Sequence, residues 1–331
     1  MKQGHKKILL SGVQPTGRPH IGNYFGAMRE FANLQNDYET FIFIADLHAL
    51  TSVQNAAELR QAILDVAIDY LTIGVDPEKV TLYKQSDVPA HTELGWIFNC
   101  ITTMPYLMRA HAFKDAEAKN KEINVGRFDY PMLMAADILL YDADVVPVGQ
   151  DQKQHIEITR DTAEKFNHIF GETFKLPEPL ISTTVGVVPG TDGQKMSKSY
   201  KNTIPLFAEQ AEITKAVMSI PTDSKGVSDP KNPDECKVFA LHKLFASESE
   251  LAELDRRYRA GGDEGIGYKE SKEILAASIE KFIAPLREKR AEIAADPQRV
   301  IEILKRGAER AREVSEAKMK TARANLGLTL S

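Results

Sequence analysis

The chain has 331 residues, of which 43% are hydrophobic and 27% are charged, and its net charge is −5. This composition predicts a folded protein of one large or two ordinary domains and excludes a disordered chain. The negative charge excludes a global positive field, so contact with nucleic acid would need a local basic face. No apolar run reaches the roughly 18 residues of a membrane span, and the two cysteines, Cys100 and Cys236, lie too far apart in sequence for any zinc spacing. We expect a cytoplasmic protein.

The first half of the chain alternates strand-like and helix-like segments. Predicted strands occupy four short apolar runs, at residues 7–11, 40–46, 80–83 and 144–148. Predicted helices occupy longer periodic segments, at residues 22–36, 56–73 and from about 151. This alternation predicts βαβ units, and therefore an α/β, Rossmann-like domain with a parallel sheet. Its binding crevice is expected at the carboxyl ends of the strands, where Gly12, Asp46 and Gly149 lie.

The second half is helical in pattern after about residue 207. We therefore predict a Rossmann-like catalytic domain at residues 1–205 and an all-helical domain at residues 206–331. Residues 281–331 contain 12 lysines and arginines against seven acidic residues. Such a bias fits either a solvated helix face or a phosphate-bearing partner. The polar segment 224–235 is predicted to be a loop, and no role is assigned to it.

A tight turn follows the first predicted strand and reads GVQPTGRPHIGNY at residues 12–24. It comes directly before a predicted helix, and a helix N-terminus favours phosphate. Gly22 allows a ligand or a neighbouring backbone to approach closely, while His20 and Asn23 can donate hydrogen bonds to an anion. A plain helix cap with a partly exposed histidine is the alternative. The turn does not match GxxxxGK[ST], which excludes an ordinary P-loop.

A second polar loop, GQKMSKSYKN, occupies residues 193–202. Lys195 and Lys198 are mobile charges of the kind that hold phosphates, and Ser197 and Ser199 add hydroxyl donors. A loop that closes on its ligand can place positive charge where negative charge develops in a transition state. A solvated surface loop is the alternative for this segment alone.

Taken together, HIGN at 20–23 and KMSKS at 195–199 resemble the two signatures of class I aminoacyl-tRNA synthetases. The sequence around these motifs is similar to that of bacterial tryptophanyl-tRNA synthetases. The similar segments are GVQPTGRPHIGNYFGA, DYPMLMAADILLYDADVVPVGQDQKQHIEITRD and GQKMSKSYKNTIPLF. The resemblance spans the chain and is densest from residue 8 to 205. It implies activation of L-tryptophan by Mg-ATP to tryptophanyl-adenylate and transfer of the product to tRNA(Trp). It also implies a homodimer, with the anticodon held by the C-terminal helices and the last helix packing back on the catalytic domain.

The resemblance also implies an ATP site whose residues come from both motifs and from the strand ends. Its implied members are Gln14, Pro15, Thr16, Gly22, Asn23, Gly149, Gln150, Asp151, Val188, Lys195, Met196, Ser197, Lys198 and Ser199. Catalysis is assigned to Lys195 and Lys198, which would neutralise pyrophosphate, with His20 beside the phosphates. Magnesium is expected to be held largely by ATP itself.

Asp137 is unusual because it lies inside the apolar helical segment LMAADILL, residues 133–140. A carboxylate is costly to bury unless it is paired or hydrogen-bonded, so the residues alone leave open an ion pair with a distant Arg or Lys. The resemblance implies instead that Asp137 accepts the indole N–H, which is only a donor. It implies that Tyr130 and Gln152 bind the amino and carboxylate end of tryptophan. The implied ring pocket consists of Gly12, His48, Met134 and either Val146 or Val148, although His48 as a helix-end residue and Met134 as plain core stay open.

Three other functions share some of these sequence features. A tyrosyl-tRNA synthetase shares the fold and related motifs, but the helix around Asp137 fits the indole enzyme better. A small nucleotidyltransferase can use a similar turn, and the long helical C-terminal half argues against it. A synthetase-like protein that binds tRNA without activating an amino acid would not need the intact lysines of KMSKS.

Overall fold

The computed structural model describes residues 6–110, 113–114, 123–149, 152–181 and 188–330. Its five strands are β1 Ile8–Val13, β2 Glu39–Ile44, β3 Val80–Lys84, β4 Val145–Val148 and β5 Glu178–Ile181. They form one sheet in the order β3-β2-β1-β4-β5, and every neighbouring pair is parallel. The predicted α/β, Rossmann-like fold is therefore confirmed, with β5 as a strand that the sequence had not indicated.

The helices are α1 Ile21–Asn23, α2 Arg29–Leu34, α3 Asp46–Ala49, α4 Ala56–Thr72, α5 Ala90–Ile101, α6 Met104–Leu107, α7 Val125–Leu139, α8 Lys153–Phe170, α9 Gln210–Met218, α10 Lys237–His242, α11 Glu248–Ala260, α12 Tyr268–Ala294 and α13 Pro297–Asn325. A π-helical turn, Tyr24–Met28, joins α1 to α2 and interrupts the single helix predicted over 22–36. Among the described residues, no helix is both long and apolar enough to cross a bilayer.

The central strands are buried because a parallel sheet is covered on both faces. Leu10 of β1 lies opposite Phe41 of β2, and Phe41 lies opposite Thr81 of β3. Phe41 and Leu10 are 0% and 1% exposed. Asn55 begins α4 by accepting hydrogen bonds from two backbone N–H groups, and Gly74 follows its end with a φ of +104°, which suits glycine. These caps fix the length of α4 near the predicted range.

Two compact units make up the chain, and each is built from separate stretches of sequence. The first consists of Met1–Gly17, Phe31–Thr183 and Asp296–Ser331, and the second of Arg18–Glu30 and Thr184–Ala295. The predicted division into 1–205 and 206–331 assumed continuous segments, whereas these units are discontinuous. That division, as a statement about function, stays a prediction.

Helix α13 belongs to the first unit, where it packs on the edge strand β3. Gly307 is essential to this contact, because a Cβ there would lie 1.9 Å from the carbonyl oxygen of Leu82. Basic side chains of α13 also form ion pairs with acidic residues of the same unit, namely Arg306–Glu78, Arg310–Glu39, Lys318–Asp142 and Arg323–Glu93. Part of the basic surplus of residues 281–331 therefore forms ion pairs within the first unit. Neither interpretation of the composition predicted this.

The second unit contains a helical core that includes Phe239, Leu254, Tyr258 and Ile266. His242 is 0% exposed in this unit, and its Nε2 lies 3.1 Å from both the carbonyl and the hydroxyl oxygen of Ser271. Among the described residues its Nδ1 has no hydrogen-bond partner. Burial lowers the pKa of His242 to about 4, although the hydrogen bond to the Ser271 carbonyl acts in the opposite direction. The ring is therefore neutral in the folded chain at pH 7.

The free energy of unfolding should fall as the pH drops from about 6.5 to 4. In the unfolded chain a histidine titrates near 6.5, so across this window the unfolded state binds more protons than the folded state. His242→Gln should reduce the pH-dependent loss by on the order of 1–3 kcal/mol, because its amide keeps a donor but does not titrate. Urea unfolding at pH 7 and pH 4.5 measures both values. An equal loss in the variant and the wild type would contradict the assignment to His242.

Candidate active site

The HIGN motif forms a reciprocal cap at the start of α1. The His20 Nδ1 accepts from the backbone N–H of Asn23 at 3.3 Å, and the Asn23 Oδ1 accepts from the backbone N–H of His20 at 3.0 Å. Because Nδ1 is an acceptor here, the proton of the neutral ring lies on Nε2. Burial, followed by the charge of Lys198, lowers the pKa of His20 to about 4. His20 can therefore offer an anion a neutral N–H donor at pH 7, rather than a positive charge.

The KMSKS loop lies against this cap, and the two motifs meet at Gly22. A Cβ on Gly22 would lie 2.9 Å from the His20 Nδ1 and 3.1 Å from the Cβ of Met196. Met196 is 4% exposed, and its backbone N–H donates to the Val188 carbonyl oxygen at 2.9 Å. Motifs about 175 residues apart in sequence, 20–23 and 195–199, are thus neighbours in the second unit.

The side chains of the loop differ in their burial. Met196 points inward, whereas Lys195, Lys198 and Ser199 are exposed and Ser197 is partly exposed. The Ser197 hydroxyl oxygen accepts from the backbone N–H of Ser199 at 3.3 Å, which begins the short 3₁₀ turn Lys198–Tyr200. Lys195 and Lys198 carry exposed ammonium groups on one loop, and the charge of Lys198 acts on the neutral His20. Such a loop is suited to a polyanion.

In the first unit, the predicted nucleotide residues follow the carboxyl ends of two neighbouring strands. Gln14, Pro15 and Thr16 come after β1, and Gly149 comes after β4, which pairs with β1. This is the edge at which parallel α/β sheets bind ligands. The predicted ribose contacts Gln150 and Asp151 lie outside the described residues.

Asp137 is the centre of a buried polar cluster. It is 1% exposed, and its Oδ1 accepts from the Gln85 Nε2 at 2.7 Å and the His91 Nδ1 at 2.6 Å. Its Oδ2 accepts from the His48 Nε2 at 2.8 Å. Burial raises the pKa of Asp137, but the hydrogen bonds from His48 and His91 outweigh that effect and lower it to about 2. Asp137 is therefore an ionised acceptor, and the ion pair with Arg or Lys that the sequence left open is wrong.

The hydrogen bonds of Asp137 leave room for one more donor. A carboxylate offers about four lone-pair sites, and three of them are used by Gln85, His91 and His48. The His91 Nε2 contacts the Tyr141 hydroxyl at 3.0 Å, so that histidine is fixed at both nitrogens. The cluster can accept one further N–H or O–H from a ligand.

The other predicted pocket residues lie on α7, in the strands β1 and β4, and just before α8. Tyr130 shares a hydrogen bond with His155 and its ring centroid lies 6.3 Å from that of His48. Met134 is half-buried and packs on the main core, which is compatible with either role considered for it. Gly12 lies against Phe43, since a Cβ there would be 2.3 Å from its ring. The remaining members are Val146 and Val148, both buried, and Gln152, which is exposed.

Sequence reasoning missed three polar residues of the first unit. Gln85 and His91 bind Asp137, and His155 binds Tyr130. A signal was present for the first two, because both follow β3 within the run KQSDVPAH, at the edge where ligands bind. His155 stands in the predicted helix only four residues beyond Asp151 and carried no separate pattern.

Comparisons with known proteins find relatives over nearly the whole chain. A family model described as "tRNA synthetases class I (W and Y)" matches residues 2–294. The chain is 51% identical to a tryptophan--tRNA ligase of Rhodopirellula baltica, over 97% of this chain and 99% of that protein. It is 48% identical to the corresponding ligase of Fusobacterium nucleatum, over 97% and 98% of the two chains.

Solved structures give the same result. A tryptophanyl-tRNA synthetase of Campylobacter jejuni, solved with ADP and tryptophan, superposes with a TM-score of 0.92 at 44% identity, covering 97% of this chain and 99% of that one. A tyrosyl-tRNA synthetase of Archaeoglobus fulgidus, at 17% identity and a TM-score of 0.65, shares the fold alone. The chain therefore belongs to the class I tRNA synthetases of the tryptophan and tyrosine group and, within that group, to the bacterial tryptophan--tRNA ligases.

Proposed function

We propose that the chain activates L-tryptophan with ATP and transfers the activated amino acid to tRNA(Trp). The observation that carries the choice of amino acid is Asp137, a buried and ionised carboxylate with one acceptor site left for a ligand. An indole N–H only donates, so it matches that site. Tyr130 and Gln152 are proposed to bind the amino and carboxylate end, and Gly12, His48 and Met134 the ring.

The first step needs no catalytic base. The tryptophan carboxylate, with a reference pKa of about 3.5, is already ionised at pH 7. One of its oxygens attacks the α-phosphorus of ATP, the bond to the bridging oxygen breaks, and pyrophosphate leaves with its electron pair. The protein must hold the reactants in line and stabilise the growing negative charge. Lys195 and Lys198 are proposed to supply the positive charge that stabilises it, and His20 is proposed to donate a hydrogen bond from its neutral ring.

The remaining ATP contacts are proposed from the two motifs and the strand ends. Gln14, Thr16 and Gly149 follow β1 and β4, while Gly22 and Asn23 belong to the cap of α1. The others proposed are Pro15, Gln150, Asp151, Val188, Met196, Ser197 and Ser199. Among the described residues, no group of three or more His, Cys, Asp or Glu could hold a metal ion. We propose that magnesium enters as part of the Mg-ATP substrate and is held largely by the ATP phosphates.

In the second step a ribose hydroxyl at the 3′ end of the tRNA attacks the carbonyl carbon of tryptophanyl-adenylate, and AMP leaves. We propose that the helices α9 to α12 contribute to anticodon binding. Charging of tRNA for protein synthesis would place the enzyme in the cytoplasm.

We also propose that the enzyme is a homodimer. Large apolar side chains on α5, on α6 and directly after α6 are exposed, with Trp96 at 70%, Met104 at 66% and Met108 at 45%. Apolar groups exposed to this degree on neighbouring helices fit a contact with a second copy of the chain. Light scattering should give twice the 36.9 kDa of one chain. Trp96→Glu should shift the protein toward the monomer. If the variant keeps the mass of the wild type at micromolar concentration, this surface does not form the dimer contact.

The test of the proposed function is ATP–pyrophosphate exchange, run with each standard amino acid separately. Exchange that depends on tryptophan alone is the expected result. Exchange with tyrosine would keep the phosphate chemistry and reject the role of Asp137. The absence of exchange with every amino acid, with and without tRNA, would favour a protein that binds tRNA without activating an amino acid.

A further inference from the structure

One buried amide closes the base of the KMSKS loop. Asn202 is 2% exposed. Its Nδ2 donates to the Asp192 Oδ1 at 2.7 Å and to the Lys195 carbonyl oxygen at 3.1 Å. Its Oδ1 accepts from the backbone N–H of Ser197 at 2.8 Å. A single side chain therefore binds the loop before Lys195, at Lys195 and two residues beyond it.

The surrounding backbone is shaped to hold this amide. Any Cβ at Gly190 would lie 2.2 Å from the Asn202 Nδ2, so only glycine leaves room for it. Lys201 adopts a φ of +54°, which is uncommon for a residue other than glycine, and this turn precedes Asn202 directly. The backbone N–H of Thr191 donates to the Asn202 carbonyl oxygen at 3.0 Å, which ties the two ends of the loop together.

Within the KMSKS motif, Asn202 bonds to the backbone of Lys195 and Ser197 and not to their side chains. Lys195 has an exposed side chain although its carbonyl oxygen is bound, and Ser197 has a partly exposed side chain although its N–H is bound. The hydrogen bond from Asn202 also lowers the pKa of Asp192, so the amide is paired with a carboxylate and not with a neutral acid.

We propose that Asn202 is a positioning residue for the step that forms the adenylate and releases pyrophosphate, because it fixes the backbone from which Lys195 and Ser197 reach the phosphates. The effect on the tryptophan reaction rests on the function proposed above, whereas the effect on phosphate binding rests on the loop alone. Donors and charges that are already in place need no reorganisation when negative charge develops, and small misplacements reduce rates strongly.

Asn202→Asp is the sharpest variant. It preserves the size of the side chain and the acceptor for Ser197, but it removes the two donor bonds and places a second carboxylate beside Asp192. The kcat of tryptophan-dependent exchange should fall roughly 10- to 100-fold with the KM for tryptophan nearly unchanged. The Tm should also fall, because a second carboxylate is buried beside Asp192. Adding Asp192→Asn restores a donor–acceptor pair between the two positions and should recover part of the kcat.

A second measurement does not depend on the amino acid. Calorimetric binding of magnesium pyrophosphate should weaken about tenfold in Asn202→Asp, since the lysine loop is no longer held in shape. If the wild type binds pyrophosphate and the variant binds it less well, while no amino acid supports exchange, the proposed function fails and the role of Asn202 stands.

Three results would overturn the inference. A variant with wild-type kcat and wild-type pyrophosphate affinity but a lower Tm would make Asn202 a purely structural residue. A loss of activity that Asp192→Asn does not relieve, with the KM for tryptophan raised to the same extent as kcat is lowered, would point to general disruption of the second unit. A wild type that does not bind pyrophosphate at all would reject the loop as a phosphate site.

Discussion

Lys195→Gln is expected to lower the kcat of tryptophan-dependent pyrophosphate exchange by roughly 10²-fold or more, with a much smaller change in the KM for ATP. Glutamine keeps most of the length of the side chain and a hydrogen-bond donor, so the variant removes the charge specifically. An ammonium group that acts on the departing pyrophosphate stabilises the transition state more than bound ATP, and its loss therefore appears in kcat.

Lys201→Gln is the matched control for this prediction. Lys201 lies in the same exposed loop and loses the same charge, but it is not among the proposed ATP residues. Both variants should bind tryptophan as the wild type does. If Lys195→Gln raises the KM for ATP and leaves kcat unchanged, Lys195 binds the ground state and the proposed catalytic role is wrong.

Asp137→Asn is expected to reduce kcat/KM for tryptophan by roughly 10²- to 10³-fold while the KM for ATP stays within about twofold. The amide has nearly the same shape, but it has lost the charge and it turns a donor toward one of three buried donors, on Gln85, His91 or His48. The indole N–H then loses its acceptor, and a polar group of the cluster is left without a partner.

A substrate analogue that replaces the ring N–H by sulfur, 3-(3-benzothienyl)alanine, isolates the proposed contact. The wild type should prefer tryptophan to this analogue, and Asp137→Asn should lose most of that preference. Asp129→Asn is the matched control on the same helix, because Asp129 is only partly buried and bonds to Asn99. An undiminished preference in Asp137→Asn would show that Asp137 does not bind the indole.

Much of the fold could be predicted because its signals are local. The apolar runs that became β1 to β4 and the caps of α4 need only short stretches of sequence to be recognised. The proximity of HIGN and KMSKS could be predicted only through the family resemblance, since no local rule joins residues so far apart. The π-helical turn after Asn23 had no sequence signal, and neither did the short exposed strand β5.

The partners of Asp137 could not be predicted for a different reason. Burial of a carboxylate demands hydrogen bonds, but the demand does not say which side chains supply them. An Arg or Lys was the simplest choice from composition, and the sheet instead brings histidines from α3 and α5 to the same helix. The ion pairs of α13 could not be predicted for the same reason. A basic helix has the same sequence pattern whether its partners are solvent, phosphate or the acidic residues of another element.

The packing of α13 on β3 means that this edge strand is covered only late in synthesis. A ribosome makes the chain from its N-terminus, so the strands emerge long before the 29 residues of α13. Until then the outer edge of β3 lacks the helix that fits against Leu82 through Gly307. An uncovered strand edge can pair with other chains. We therefore expect a nascent chain stalled before α13, or one truncated there, to lose solubility as well as the helix, because a helix that is made late covers a strand that is made early.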